Sequence, residues 1–284
     1  MRNIFAGRKM KRVCGWFSVL AIVSLFVGAA KAEAITGAQY EAAVVRYGHF
    51  AAGRPHEYSR LSTMTDAGRS LALELPEDQV FEDVAPRLVR LGAAEPIEVL
   101  AIVSQRGSGA RLVLFRLRNG RMEVSAESPP VGISHRWMNP VGVADLDGDG
   151  QAEVVAVTTP HIGGTLKIYR RSGSKLVETA ALTGFSNHAY GSPELGLSMP
   201  VLLKGRWHLL VPDTSRTRLR LVAMEQGRLV EVGRCDVPGQ VTGPITRIEP
   251  SVVSIGLASG PHMVHLDPCV ARGGIDGKKK SKTG

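Results

Sequence analysis

The stretch Pro140-Val141-Gly142-Val143-Ala144-Asp145-Leu146-Asp147-Gly148-Asp149-Gly150-Gln151-Ala152-Glu153-Val154-Val155-Ala156-Val157 decides the reading of the chain. Two apolar runs rich in β-branched residues flank a turn that holds acids at alternate positions, so the unit reads as strand, acidic loop, strand. Further on, Thr165-Leu166-Lys167-Ile168-Tyr169-Arg170, a turn at Ser172-Gly173 and Leu176-Val177-Glu178 add a third and a fourth strand. No helical period of any length interrupts them.

The same series stands one step earlier. Ile97-Glu98-Val99-Leu100-Ala101-Ile102-Val103, Arg111-Leu112-Val113-Leu114-Phe115-Arg116, a turn at Asn119-Gly120 and Met122-Glu123-Val124 precede their counterparts by 53 to 55 residues. A third series follows, with Leu209-Leu210-Val211, Arg218-Leu219-Arg220-Leu221-Val222, Gly227 and Leu229-Val230-Glu231. The copies span about residues 84–128, 139–181 and 193–236, with a partial one over 241–268. An N-terminal piece at 40–76 reads as a degenerate copy or as outer strands missing from the last copy. One four-stranded unit cannot bury its own faces, and radial stacking of such units solves the problem. The predicted fold is therefore all-β, a small β-propeller of four to five blades, five preferred, over residues 35–272. A β-sandwich is the competing architecture.

The acidic loop has the chemistry of a calcium site. A hard cation takes six to eight oxygens at about 2.3 to 2.6 Å, which carboxylates at alternate positions of a tight loop supply. Asp145, Asp147 and Asp149 are the expected side-chain ligands, Gln151 a backbone-carbonyl ligand and Glu153 the closing carboxylate. An EF-hand needs Glu at loop position 12, where Ala156 stands. Asn139 to Val155 resembles the FG-GAP or VCBS repeat of integrin-α-like β-propellers, in which such a loop joins the two inner strands of a blade and binds calcium. Two departures stand out. The closing position, usually Asp in that family, is Glu153, and the corresponding segments Arg90 to Glu98 and Leu202 to His208 have lost the loop. One calcium per chain is expected, in a stiffening role.

Aligned copies also bring histidines together. His135-Arg136-Trp137-Met138-Asn139-Pro140 matches His188-Ala189-Tyr190-Gly191-Ser192-Pro193, and His161 and His262 each follow a proline in corresponding places. His49 follows Tyr47-Gly48 near the N-terminus. The expected ligand face, His135, Trp137, His161, His188, Tyr190 and His262, lies at the end opposite the acidic loop. Such a ring suits a metal, an anion or a sugar, or serves only to cap strand ends. H-E-x-x-H, G-x-S-x-G, P-loop and C-x-x-C motifs are absent.

Composition narrows the functional classes. The net charge of +9 suggests nucleic acid, but six of the 35 Lys and Arg lie in residues 1–32 and four in the Lys-rich end. That leaves 25 basic residues against the chain's 26 acidic ones, too balanced for a nucleic-acid footprint. Residues 1–34 read as a signal peptide. Arg2, Arg8, Lys9, Lys11 and Arg12 precede an apolar run from Trp16 to Ala30, and cleavage is expected after Ala32 or Ala34. Residues 273–284 read as a disordered basic tail. No transmembrane segment is expected in the mature protein. Cys235 and Cys269 survive processing, and the sequence leaves open whether they pair or are separately buried thiols. The leading expectation is a periplasmic or secreted non-catalytic binding module with a protein or glycan partner. The alternative is a hydrolase or lyase using the histidines.

Overall fold

The computed structural model describes Met1 and residues 33–270; the expected signal run and basic tail lie outside the described residues. The described chain is all-β, with nineteen strands, one short 3-10 turn at Asp267–Cys269 and no α-helix. No helix among these residues is long and apolar enough to cross a membrane.

Three antiparallel meanders follow one another. The first comprises β5 (Arg87–Val89), β6 (Glu98–Gln105), β7 (Gly109–Arg118) and β8 (Arg121–Glu127), preceded by β4 (Gln79–Phe81). The second comprises β9 (Met138–Ala144), β10 (Glu153–Thr158), β11 (Thr165–Ser172) and β12 (Lys175–Thr183). The third comprises β13 (Met199–Leu203), β14 (Arg206–Pro212), β15 (Arg218–Glu225) and β16 (Arg228–Asp236). A three-stranded meander ends the series: β17 (Val241–Glu249), β18 (Val252–Leu257) and β19 (Gly260–His265). At the other end stand β1 (Ile35–Ala43), β2 (Tyr58–Thr65) and β3 (Ser70–Glu74).

Residue type explains the layering. The inner strands β6 and β10 carry Val99 to Val103 and Val154 to Val157, all essentially inaccessible to solvent. Unbroken β-branched and aliphatic runs suit strands covered on both faces. Outer strands such as β12 instead expose every second residue or more. Tight hairpins join third to fourth strands. Asn119 (φ 50°) and Gly120 (φ 75°) link Arg118 to Arg121, and Gln226 and Gly227 link Glu225 to Arg228 in the same conformation. Two successive residues at positive φ match the twist of the flanking strands, and glycine makes the second cheap. One register break recurs between third and fourth strands, at Leu114/Phe115, Ile168/Tyr169 and Leu221/Val222.

The core forms as slabs between successive meanders. Leu61, Phe81, Val99 and Phe115 fill the space between β1–β3 and the first meander. Leu100, Leu112, Val154 and Ala156 fill the next space, Val155, Ile168, Leu209 and Val222 the third, and Leu210, Leu221, Val253 and Ile255 the fourth. The slabs run in chain order. Among the described residues, none joins β17–β19 back to β1–β3.

The N-terminal strands therefore do not complete the last meander. Instead, β4 pairs with β6 through Val80↔Ser104 and Phe81↔Val103, and β2 touches β4 at Tyr58↔Phe81. The reason is aromatic packing, since the Phe81 ring lies 4.9 Å from Tyr40 and 5.9 Å from Phe115. β4 and β5 lie along the same edge of β6, so the first strand of that meander starts at Gln79, ahead of the expected 84, and is split by residues 82–86. At the far end Cys235 and Cys269 form a disulfide that ties the residues after β19 to β16. Val270 bridges Gly233 beside it.

Candidate functional site

Antiparallel meanders place successive loops at alternate ends. The acidic loop between β9 and β10 opens at one end; the β8–β9, β10–β11 and β12–β13 connections open at the other. Each end holds one group of residues singled out from the sequence.

The acidic loop is internally braced. Asp145 accepts the Gly148 N–H at 2.8 Å and the Gly150 N–H at 3.0 Å, and Asp149 accepts the Gln151 N–H at 2.8 Å. These turns fold Asp145, Asp147 and Asp149 inward, with one carboxylate oxygen from each lying within 4.8 Å of the others. Oxygen donors at that spacing fit a hard divalent cation. Glu153 does not join them. Its side chain is buried, with one oxygen accepting the Leu146 N–H at 2.9 Å and the other 2.7 Å from Arg170 Nη2. Gln151 packs its amide against Gly92 and pairs with it in an isolated bridge.

Arg170, on β11, escaped the sequence reading. Its guanidinium also bonds Asp147 and lies 3.2 Å from Asp149. Its own ionisation is held above the usual arginine range by hydrogen bonds to Glu153 and Asp147. Thus one strand residue supplies the counter-charge for three of the loop's four acids. An arginine in an alternating strand carries no sequence signal of that role.

At the opposite end, rings converge. Trp137, buried, donates its Nε1–H to the Glu82 carbonyl at 2.8 Å and lies parallel to His161 at 6.0 Å. His188 sits 4.7 Å from the indole, and Tyr190 stands edge-on to His161 at 5.4 Å. His135 stacks on His49 at 5.2 Å. Asn139 and Asn187, both buried, exchange amide-to-carbonyl bonds at 3.1 Å and fix the β12–β13 connection against β9.

Proton placement follows from the partners. His188 Nε2 is 2.8 Å from the Ser192 carbonyl, which only accepts, so that nitrogen carries the hydrogen. His188 Nδ1 then accepts from His161 Nε2 at 2.7 Å, which leaves a lone pair on His161 Nδ1. Burial, then the neighbouring His188, lowers the His161 pKa to about 3. Burial likewise lowers His188 to about 4, against the opposing pull of the Ser192 carbonyl. Both rings are neutral at physiological pH. Among the described residues, the Asp145 group alone gathers three or more ligating side chains; the imidazoles stack as plates.

The segment 44–57 between β1 and β2 completes this end. The Tyr47 hydroxyl accepts the His135 N–H at 2.8 Å, Tyr190 donates its hydroxyl to the His49 carbonyl at 2.8 Å, and Gly191 N–H reaches the Ala51 carbonyl at 2.8 Å. Gly53 comes so close to Gly191 that a Cβ there would stand 2.6 Å from its carbonyl oxygen. Beneath the segment, buried Glu57 accepts the N–H groups of Gly48, His49 and Phe50. Glu82, also buried, accepts from Ala51 and Ser104, and His49 Nδ1 lies 2.7 Å away in poor alignment for a hydrogen bond. The Tyr47-Gly48-His49 triplet was the visible trace of this segment.

His262 stands apart. The β18–β19 turn holds only Ala258 and Ser259, so the strand resumes at Gly260 and His262 falls within β19, exposed and opposite Ile255. The remaining rings except His188 line a cavity of about 210 Å³: His49, His135, Trp137, His161 and Tyr190, together with Arg136, Thr159 and Ile162. No protein-family model matches the chain, and no curated protein sequence matches it.

Proposed function

We propose that the protein is an exported, calcium-binding β-propeller of four to five blades that serves as a non-catalytic binding module in the cell envelope, its ring-lined end meeting a protein or a glycan. Successive four-stranded meanders, core slabs in chain order and the recurring register break support the architecture. Asp145, Asp147 and Asp149 would hold the calcium, with Arg170 as the competing counter-charge. Calcium there would brace the β9–β10 turn and add to folding stability.

One observation carries the binding assignment: loops from β1–β2, β8–β9, β10–β11 and β12–β13 converge on stacked rings around a cavity. The hydrolase or lyase reading needs an imidazole titrating near neutrality. His161 and His188, two of the four imidazoles that reading would use, are held neutral and paired to each other, which suits recognition better than proton transfer at those two.

Two measurements test this. Elemental analysis of the mature protein is expected to find one calcium, and a chelator to lower the melting temperature; metal-free protein with an unchanged melt would remove calcium from the account. Photo-crosslinkers placed at Tyr190 and, as a control, at Ser174 on the opposite end are expected to trap a partner in cells only from Tyr190. Equal labelling from both positions would count against a binding end.

A further inference from the structure

Met1 aside, the four most exposed large apolar side chains are Val45 (70%), Ile133 (63%), Ile162 (61%) and Tyr190 (60%). They come from four separate connections, and all four open at the ring-lined end. Scattered apolar residues on a surface are ordinary, but a concentration at one end, with Ile162 and Tyr190 lining its cavity, marks an interaction site. The backbone there is strained as well. Phe50, His135, Thr159 and Arg216 sit at φ between 50° and 60°, and for β-branched Thr159 that conformation is a true outlier.

Charge adds a second, independent feature. Arg54 lies over the Phe50 ring, Arg106 bonds the Arg46 carbonyl, Arg136 lines the cavity, and Arg216 bonds Ser186 and the His188 carbonyl. None of the four has a carboxylate partner among the described residues, and the buried Nε of Arg216 has no partner of any kind. The acids at this end are otherwise engaged. Glu57 and Glu82 are buried under the loops, Glu77 pairs with Arg46, and Glu194, Asp78 and Asp213 accept hydrogen bonds from Gly196, Gln105 and Ser215.

We infer that this end docks an acidic protein segment, one aromatic or branched aliphatic side chain entering between Ile162 and Tyr190 while flanking carboxylates face Arg136 and the other arginines of this end. The inference rests on the ring-lined end being a binding face. A protein fits better than a glycan because Val45, Ile133 and Ile162 would meet sugar hydroxyls with aliphatic carbon, leaving them unpaired. Apolar anchors ringed by charge are how protein interfaces concentrate affinity.

A random peptide-display library panned on the immobilised mature chain tests it, alongside an array of neutral and uronic-acid polysaccharides. Enriched peptides are expected to combine Asp or Glu with one aromatic or branched aliphatic residue. Their affinity is expected to fall about tenfold in Ile162→Asp, at an exposed position, and in Arg136→Glu, at a half-buried one, with the melt of each variant measured alongside, and to weaken as salt rises. Peptides without acids, or binding indifferent to both substitutions, overturn the inference. Polysaccharide binding lost in Tyr190→Ala, with no peptide enriched, overturns it while leaving the binding face standing. If neither probe depends on this end, both readings fail.

Discussion

Replacing Arg170 with Met removes the guanidinium that faces three carboxylates while keeping most of the side chain's packing. Glu153 is 1% exposed, so its oxygen toward Arg170 would become a buried, unpaired charge. Breaking a fully buried pair costs about 3–5 kcal/mol. Arg170 is itself 40% exposed, however, so water can reach the vacated space. The contacts to Asp147 and Asp149 are also partly exposed and contribute about 0–1 kcal/mol. A net loss of about 2 kcal/mol follows in chelator, which is about 4–8 °C of melting temperature for a domain of this size. Calcium bound as proposed would supply the missing positive charge, and at a hundred times its dissociation constant would add about 2.7 kcal/mol. Thermal melts of wild type and Arg170→Met, each in chelator and in calcium, measure both terms. The variant is expected to be weaker in chelator and to gain more from calcium than wild type. A variant as stable as wild type in chelator would refute the counter-charge argument, and an equal calcium gain in both would refute the competition.

Acid should loosen the ring-lined end. The unfolded chain binds protons at His161 and His188 from about pH 6.5 downward, while the folded pKa values are lowered to about 3 and about 4, so stability falls as pH drops through that window. Allowing for partial solvent access, about 2 kcal/mol should be lost between pH 7 and 5, and the double variant His161→Gln/His188→Gln should lose most of that dependence; parallel slopes would contradict it. Reduction of Cys235–Cys269, which closes a separation of 34 residues, is expected to cost about 2–4 kcal/mol and to raise hydrogen exchange in β17–β19. Unchanged exchange there would mean that packing alone holds the last meander. Trp137→Ala should cost about 3–5 kcal/mol by denaturant titration, whereas Trp137→Phe, which loses only part of the ring and the bond to Glu82, should cost about half as much or less.

Local pattern made the strands legible. Val99 to Val103, Val154 to Val157 and Leu209 to Val211 are buried runs bounded by turn residues, and a run of that kind has few other ways to fold. His135, Trp137, His188 and Tyr190 were legible because two copies could be laid side by side, and the structure brings those four together with His161. What stayed hidden depends on contacts far apart in sequence. Tyr47 and His135 meet 88 residues apart, and His49 and Tyr190 141 apart, each through a tyrosine hydroxyl and a main-chain group, and the main-chain half leaves no residue pattern behind. Arg170 was invisible for a different reason: its partner loop is close in space, but an exposed strand position accepts arginine without comment. The split first strand was missed because Glu82 and Asp83, both buried, interrupt it with acids that carry no strand pattern. His262 was misplaced because the turn before it is two residues long, shorter than a proline-led loop would be.

Segment 44–57 has a consequence for the order of events during synthesis. Each slab of core needs only the strands just made and those before them, so stacking can keep pace with the ribosome. The rings cannot. Tyr47, His49 and Ala51 leave early, yet their partners at His135, Tyr190 and Gly191 emerge far later, so the ring-lined end stays unassembled until two thirds of the chain is out. A truncated product that stops short of residue 190 would carry folded strands and an incomplete ring cluster.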